Sequence, residues 1–191
     1  EMCIRDRGWP FGGPEVSIED AASKAIFQTY DIEGGQEIVQ DINVTDKKQQ
    51  PYSVLSRVMA YDENGRCINL TSHVRKDKLE WKAPAGKWKV IALYNSKTRQ
   101  KVKRAAPGGE GYVMNHLSKT AVKNYLSRFD RAFKSSKTSY PHTFFNDSYE
   151  VYQADWTEDF LDQFARRRGY KLEEHFPEFL DESRPEVSRR I

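Results

Sequence analysis

The spacing of apolar residues changes character twice along the chain. From about residue 25 to residue 100, apolar and polar side chains alternate in short runs, which predicts β-strands. Asp62-Glu63-Asn64-Gly65 is typical of a hairpin turn between two such runs, and residues 88–94 give the strongest strand signal of the chain. Several short strands at this spacing predict an antiparallel sandwich or jelly-roll-like module.

Helical spacing dominates after residue 105. Ser118 is expected to begin a helix whose apolar positions 122, 125, 126, 129 and 133 share one face, and Thr157 to cap a second helix that ends before Gly169. Thr143-Phe144-Phe145 between them is typical of a buried strand, and a short helix is expected from Ser17 to about Lys24. Helices between short buried strands indicate a parallel sheet with crossovers.

These patterns together predict an α/β protein, a partial (β/α)8 barrel with an inserted antiparallel β-sandwich or jelly-roll-like module. Residues 8–34 are assigned to a barrel loop and short helix, 35–104 to the inserted module, and 105–191 to a truncated βαβα segment of the barrel. Residues 1–7 show neither periodicity nor turn signals, so we interpret them as a non-native scar.

Composition narrows the class of partner. The 31 basic and 28 acidic residues nearly balance, giving a net charge of +3, so nothing predicts nucleic-acid binding. The sequence contains no stretch of 18 apolar residues that would predict a membrane span. Two cysteines are too few for a disulfide framework. Aromatic residues make up 13%, which suits both a core and a sugar site.

The polar run Asn146-Asp147-Ser148-Tyr149-Glu150 is the best candidate site, because it follows a predicted buried strand. Loops after the strands build the active face of a barrel, and cleavage of a glycosidic bond needs two carboxyl groups. Glu150 is therefore a candidate catalytic residue, with Asn146 and Asp147 as substrate contacts. In the alternative interpretation, Asp147 and Ser148 cap the following turn and Glu150 is solvated.

Two glycine-rich loops, residues 8–14 and 107–111, offer further candidates. Glycine lets a backbone approach a ligand closely, although it also simply makes turns. Trp9, Glu110 and His116 are candidate sugar contacts, with a buried Trp and a structural His as the alternatives. Asn115 and Asp147 are candidate calcium ligands, because calcium prefers oxygen donors, but their spacing matches no EF-hand loop.

Trp81 and Trp88 lie in predicted strands, where core packing is the favoured interpretation. The competing interpretation makes them a sugar-binding surface. In that case the chain would be a non-catalytic carbohydrate-binding β module centred on residues 36–104.

Three blocks of this sequence resemble glycoside hydrolase family 106, in the family's order, over about residues 8–191. The first is Gly8-Trp9-Pro10-Phe11-Gly12-Gly13-Pro14 followed by Glu19-Asp20-Ala21. The second is the stretch from Val102 to Gly111. The third runs from Asn146 to Tyr152, then through Trp156-Thr157 and Arg167-Arg168-Gly169-Tyr170.

The resemblance implies a bacterial, inverting exo-α-L-rhamnosidase acting on plant or bacterial polysaccharide, periplasmic or secreted at full length. It implies a barrel with accessory β domains and a calcium ion that helps to hold the sugar. It also implies a catalytic carboxylate role for Glu150, taken as the general acid, and sugar or metal contacts for Asn146, Asp147 and His116. Asn115 stands where we expect an Asp in the family. A barrel glycosidase specific for another sugar remains the alternative.

Both ends of the chain stop in mid-pattern, so we expect a fragment whose second catalytic carboxylate lies beyond Ile191. Half a barrel leaves open parallel edges and an unfilled interior. The isolated chain is therefore expected to fold poorly and to lack hydrolase activity. Rhamnoside turnover by the purified fragment that is well above background, and lost in Glu150→Gln, would refute this expectation.

Overall fold

The computed structural model describes residues 10–143 and 150–188. The predictions on Trp9, Asn146, Asp147 and most of the strand at 143–145 lie outside the described residues. The chain divides into unit 1, residues 1–24 with 97–157, and unit 2, residues 25–96 with 158–191. The predicted domain boundaries at residues 35 and 104 stay predictions.

Short strands dominate the described residues, and the helices come late in the chain. The strands are β1 (Gly12–Gly13), β2 (Ser23–Glu33), β3 (Glu37–Asp41), β4 (Ser53–Asp62), β5 (Cys67–Asn69), β6 (Val74–Arg75), β7 (Lys78–Lys82), β8 (Lys87–Lys97) and β9 (Tyr112–Val113). The helices are α1 (Lys119–Ser136), α2 (Phe160–Arg168), α3 (Phe176–Phe179) and α4 (Pro185–Ser188), with 3₁₀ turns at Gln50–Tyr52, Thr71–His73 and Leu172–Glu174. None of the helices in the described part of the chain has the length and hydropathy that a membrane crossing needs.

Unit 2 is built on two sheets, one of order β2-β8-β4-β5 and one of order β3-β7-β6. The β4–β8, β4–β5, β3–β7 and β6–β7 pairs are all antiparallel. Side chains alternate across a strand, so Ala60 and its partner Val90 face one side while Tyr61 and Lys89 face the other. The first side carries the main core, whose buried residues are Ile32, Ile42, Val44, Val58, Ala60, Leu70, Leu79, Trp81, Ala83, Trp88, Val90, Ala92 and Tyr94.

The core interpretation of Trp81 and Trp88 agrees with the structure. Their exposed fractions are 7% and 4%, and their rings meet edge to face with centroids 5.1 Å apart. The indole N–H of Trp88 donates to the carbonyl of Pro84 at 3.0 Å, so its polar group is satisfied inside the protein. Neither ring therefore offers a face on which a sugar can stack.

The other side of the four-stranded sheet is partly covered by the C-terminal segment. Phe176 is fully buried, with its ring centroid 5.2 Å from that of Phe27 on β2. The Tyr61 hydroxyl donates to the Glu173 carbonyl. Burial is the main cause that raises the pKa of Tyr61 well above its usual value, so Tyr61 keeps the proton that it donates. These contacts place the segment after α2 against β2 and β4.

The prediction of a partial (β/α)8 barrel is wrong. The sheets are open and mostly antiparallel, with 32% strand and 25% helix. Within the described residues β9 is the last strand, and it pairs antiparallel with β1, so no described strand follows α1 or α2 to form a parallel crossover. Antiparallel pairing over residues 37–97 was expected for the inserted module, but it belongs here to unit 2 and not to a barrel insertion.

The predicted helix from Ser17 to Lys24 is also wrong. Ser17 does accept a hydrogen bond from the Asp20 amide at 3.3 Å, but only one turn forms before β2 begins at Ser23. The Ala22 amide donates to the Val113 carbonyl, and the Ala22 carbonyl accepts from Thr98, both at 2.8 Å. These strand-like hydrogen bonds use the backbone groups that a helix would need.

Helix α1 begins as predicted, and α2 does not. Ser118 is the N-cap of α1, accepting from the Ala121 amide at 3.3 Å. Asp159, not Thr157, occupies the N-cap position of α2, although Gly169 ends that helix with φ +81° as expected. On α1, Val122 and Tyr125 pack against a small core of Val16, Met114 and Ala121.

Candidate functional site

The two glycine-rich loops meet each other in unit 1. Gly12 pairs with Val113 and Gly13 with Tyr112, joining β1 to β9. A Cβ added at Gly111 would lie 1.9 Å from the Gly13 carbonyl oxygen, closer than real atoms approach. These glycines therefore allow the two loop backbones to pack closely against each other, so the structure explains them without a ligand.

Replacing Gly111 by Ala is expected to lower the free energy of unfolding by about 1–3 kcal/mol, because the clash is with backbone that has no alternative rotamer. Urea unfolding of the 191-residue chain measures it. Gly108→Ala is the matched control, since Gly108 has φ +78° but nothing within 4 Å of the added carbon. A loss at Gly111 no larger than that at Gly108 would show that the two loops are not packed as described.

Residues 100–103 lie along β9 and continue this arrangement. The Val113 amide donates to the Gln100 carbonyl at 3.0 Å, and the Val102 amide to the Gly111 carbonyl at 3.1 Å. The backbone of Gln100 is thereby held beside β9. Its side chain is then free to reach another segment.

The Gln100 side chain holds the segment that carries Glu150. Its Nε2 donates to the Glu150 carbonyl at 2.8 Å, and its Oε1 accepts from the Tyr152 amide at 2.8 Å. One amide thus satisfies two backbone groups of a segment without regular secondary structure. This clamp connects Glu150 to the β1–β9 pair through a single residue.

The Glu150 carboxylate has polar neighbours of its own. The Tyr152 hydroxyl donates to Glu150 Oε2 at 3.4 Å, and Lys103 Nζ donates to that hydroxyl at 3.5 Å. Lys103 Nζ also lies 4.7 Å from the centroid of the Tyr152 ring. We call Gln100, Lys103, Glu150 and Tyr152 the Glu150 cluster. Tyr152 is 54% exposed, so the cluster opens to solvent.

The far end of the same segment is also tied down. Trp156 is buried, and its amide donates to the Ser23 carbonyl at 3.4 Å. Asn115 Nδ2 donates to the Trp156 carbonyl at 3.4 Å. Residues 150–156 are therefore anchored at both ends, which is what a reactive carboxylate needs in order to be held in place.

The Asn115 side chain is buried and forms hydrogen bonds within the protein. It is 3% exposed, and its Oδ1 accepts from the Leu117 amide at 3.1 Å while its Nδ2 holds Trp156. Within residues 10–143 and 150–188 there is no group of three or more His, Cys, Asp or Glu side chains that could hold a metal ion. Asn115 therefore fits a structural role better than a calcium site. The calcium prediction rests on Asp147, outside the described residues, and stays a prediction.

His116 and Glu110 lie in unit 1 with Glu150, on either side of β9 in sequence. Burial lowers the pKa of the His116 imidazole, which favours its neutral form. Glu110 is exposed on the 107–111 turn. Their roles as sugar contacts stay predictions, as do those of Trp9, Asn146 and Asp147.

Three members of the Glu150 cluster were not predicted from the sequence. Gln100 is separated from Glu150 by 50 positions, and no local pattern connects them. Lys103 lies within one of the three resembling blocks and Tyr152 within another, but those blocks indicated no role for either residue. Only the folded chain brings these side chains to Glu150.

Comparison with known proteins gives a family and two relatives. The model of glycoside hydrolase family 106, described as alpha-L-rhamnosidase, matches residues 44–182. A Formosa agariphila protein described as "Putative beta-glucuronidase" is 27% identical over 212 residues, covering 89% of this chain and 18% of that protein. A solved rhamnosidase structure from Novosphingobium sp. PP1Y is similar with a TM-score of 0.48 at 28% identity, over 63% of this chain and 12% of that one. The chain thus spans less than a fifth of the length of either relative.

Proposed function

Because this chain belongs to glycoside hydrolase family 106, we propose that the enzyme containing it is an inverting exo-α-L-rhamnosidase in which Glu150 is a catalytic carboxylate. The substrate is a plant or bacterial polysaccharide, and the enzyme acts in the periplasm or outside the cell. The observation that carries the proposal is the Gln100 clamp, with hydrogen bonds of 2.8 Å to both Glu150 and Tyr152. It holds a solvent-accessible carboxylate on an anchored segment.

Inversion needs one carboxyl group to protonate the leaving oxygen and a second to activate water, about 6.5–9.5 Å apart. In this proposal Glu150 is the general acid. It gives its proton to the glycosidic oxygen and becomes a carboxylate, whose Oε2 accepts the Tyr152 hydroxyl. Lys103 donates to the same hydroxyl and so strengthens this hydrogen bond as negative charge develops.

The remaining predicted contacts surround the sugar in this proposal. Trp9 supplies an apolar face, and Glu110, His116, Asn146 and Asp147 supply hydrogen-bonding groups. His116 is held neutral by partial burial, so it can donate through one ring nitrogen and accept through the other.

The proposal is tested by assaying the gene product that carries this chain with an aryl α-L-rhamnoside and an aryl β-D-glucuronide. The expected result is hydrolysis of the rhamnoside, with β-L-rhamnose as the first product seen by proton NMR. The glucuronide is included because one relative is described by that activity. Turnover of the glucuronide alone would show that the enzyme is not a rhamnosidase. Release of α-L-rhamnose as the first product would show that the mechanism is not inverting.

Gln100→Leu is expected to lower kcat for the rhamnoside by about 10- to 100-fold with little change in KM, because a misplaced carboxylate impairs chemistry more than binding. Steady-state kinetics measure it. Gln36→Leu, at an exposed position, is the matched control and should leave kcat unchanged. An unchanged kcat in Gln100→Leu, or an equal fall in kcat and rise in KM, would contradict a positioning role.

A further inference from the structure

Unit 2 contains a cavity that the proposed catalytic role of Glu150 does not use. It has a volume of about 560 Å³, and its lining combines Tyr61 and Lys89, which face away from the main core, with Ile32 and Trp88, which belong to that core. This volume falls in the range of about 300–1,000 Å³ typical of small-molecule sites. Its lining residues all belong to unit 2.

Strand alternation explains why polar side chains line this cavity. Tyr61 on β4 lies opposite Lys89 on β8, and both project away from the main core. Asp31 and Glu33 from β2 and Lys87 from β8 line the cavity as well. The sheet therefore presents carboxylates and ammonium groups side by side.

The C-terminal segment supplies the facing wall. Pro177 and Glu178 of α3 line the cavity, close to where the Tyr61 hydroxyl bonds to the Glu173 carbonyl. The Pro177 ring is partly exposed and supplies an apolar surface, whereas the Tyr61 ring is buried. The cavity thus combines apolar faces with hydrogen-bonding groups of both kinds.

Several of these polar groups have no partner within residues 10–143 and 150–188. Among the described residues, no carboxylate lies within ion-pair distance of Lys87 or Lys89. Glu178 Oε2 is buried, and no hydrogen-bond donor of the described part of the chain reaches it. A buried carboxylate oxygen without a donor is costly, so a ligand that donates to it is favoured.

The geometry points to a neutral saccharide as the ligand of this cavity. Sugar hydroxyls donate to carboxylates and accept from ammonium groups, while the CH face of the ring can pack on the partly exposed Pro177. The lining includes six acidic residues against two lysines. This excess of negative charge disfavours anionic sugars such as uronates. The inference does not depend on the role of Glu150.

Isothermal titration of the 191-residue chain with L-rhamnose and with D-glucuronate tests the inference. L-rhamnose is expected to bind saturably with a Kd on the order of 1 mM, and D-glucuronate at least about tenfold more weakly. Lys89→Gln and Glu178→Gln are each expected to weaken rhamnose binding about tenfold, because each removes a charged hydrogen-bonding group. Circular dichroism of each variant establishes that it is folded.

Two controls separate this cavity from other sites. Lys82→Gln, at an exposed lysine of β7 that does not line the cavity, should leave the Kd unchanged. Gln36→Leu, at an exposed position that does not line the cavity, should also leave it unchanged. The inference is overturned by absent binding, by glucuronate binding as tightly as rhamnose, or by equal effects of Lys89→Gln and Lys82→Gln.

Discussion

Glu150→Gln in the gene product that carries this chain is expected to lower kcat for an aryl α-L-rhamnoside by roughly 10²–10⁴-fold. Glutamine keeps the shape of the side chain and can still accept a hydrogen bond from the Tyr152 hydroxyl, so the anchored segment stays in place. It has no transferable proton, so protonation of the leaving oxygen is lost. KM should change little, because the substitution removes an interaction that stabilises the transition state and not the bound substrate.

A second comparison identifies the general-acid role within this result. An aryl rhamnoside with a good leaving group needs little protonation, so its kcat should fall less than that of a substrate with a poor leaving group. Glu158→Gln is the matched control, since Glu158 is exposed and lies only eight positions further along the chain. Full activity in Glu150→Gln, or an equal loss in Glu158→Gln, would end the catalytic assignment.

Phe176→Ala is expected to lower the free energy of unfolding by about 3–5 kcal/mol. Phe176 has 0% exposure, and its ring packs edge on against Phe27, with centroids 5.2 Å apart. Removing the ring leaves a cavity between the C-terminal segment and β2. Because Leu172 is equally buried on the same segment, the loss should loosen residues 172–179 as a group.

Urea unfolding of the 191-residue chain measures this loss, and hydrogen exchange locates it. Phe129→Ala is the matched control: Phe129 is 41% exposed on α1, so its truncation should cost less than about 1 kcal/mol. Equal losses in the two variants would mean that the C-terminal segment does not pack on β2 as described. A folded chain with a measurable unfolding transition would also refute the expectation that this chain folds poorly alone.

Local patterns predicted the strands and turns well. The Asp62–Gly65 turn forms as expected, with Asp62 Oδ1 accepting from the amides of Asn64 and Arg66 and Gly65 at φ +80°. The same holds for the Ser118 cap of α1 and the Gly169 end of α2. These features depend on residues a few positions apart, so the sequence contains the information that determines them.

The barrel prediction failed for a physical reason. Helical periodicity shows that one face of α1 is apolar, but it does not say what that face packs against. In the structure Val122 and Tyr125 meet a small core while Leu126 is 46% exposed. The helix predicted at 17–24 failed similarly, since Ala22 found backbone partners at Thr98 and Val113, far along the chain.

The candidate site was also only partly predictable from the sequence. Glu150 was nominated because it follows a predicted barrel strand and lies in a block that resembles the family. The barrel prediction is wrong, and the role of Glu150 stays a prediction. The Gln100 clamp, the Tyr152 hydrogen bond and the internal role of Asn115 were invisible in the sequence. Each depends on segments that are distant along the chain and adjacent only after folding.

By itself the sequence determined where strands alternate, where the Asp62–Gly65 turn, the Ser118 cap and the Gly169 helix end fall, that Trp81 and Trp88 are buried, and which family the chain resembles. Only the tertiary structure decided which strands pair, that the sheets stay open and form no barrel, and which side chains hold Glu150 and line the cavity of unit 2. The reason is that periodicity and capping depend on neighbours along the chain. Strand pairing and side-chain clustering arise from competition among distant segments for the same hydrogen bonds and apolar surface.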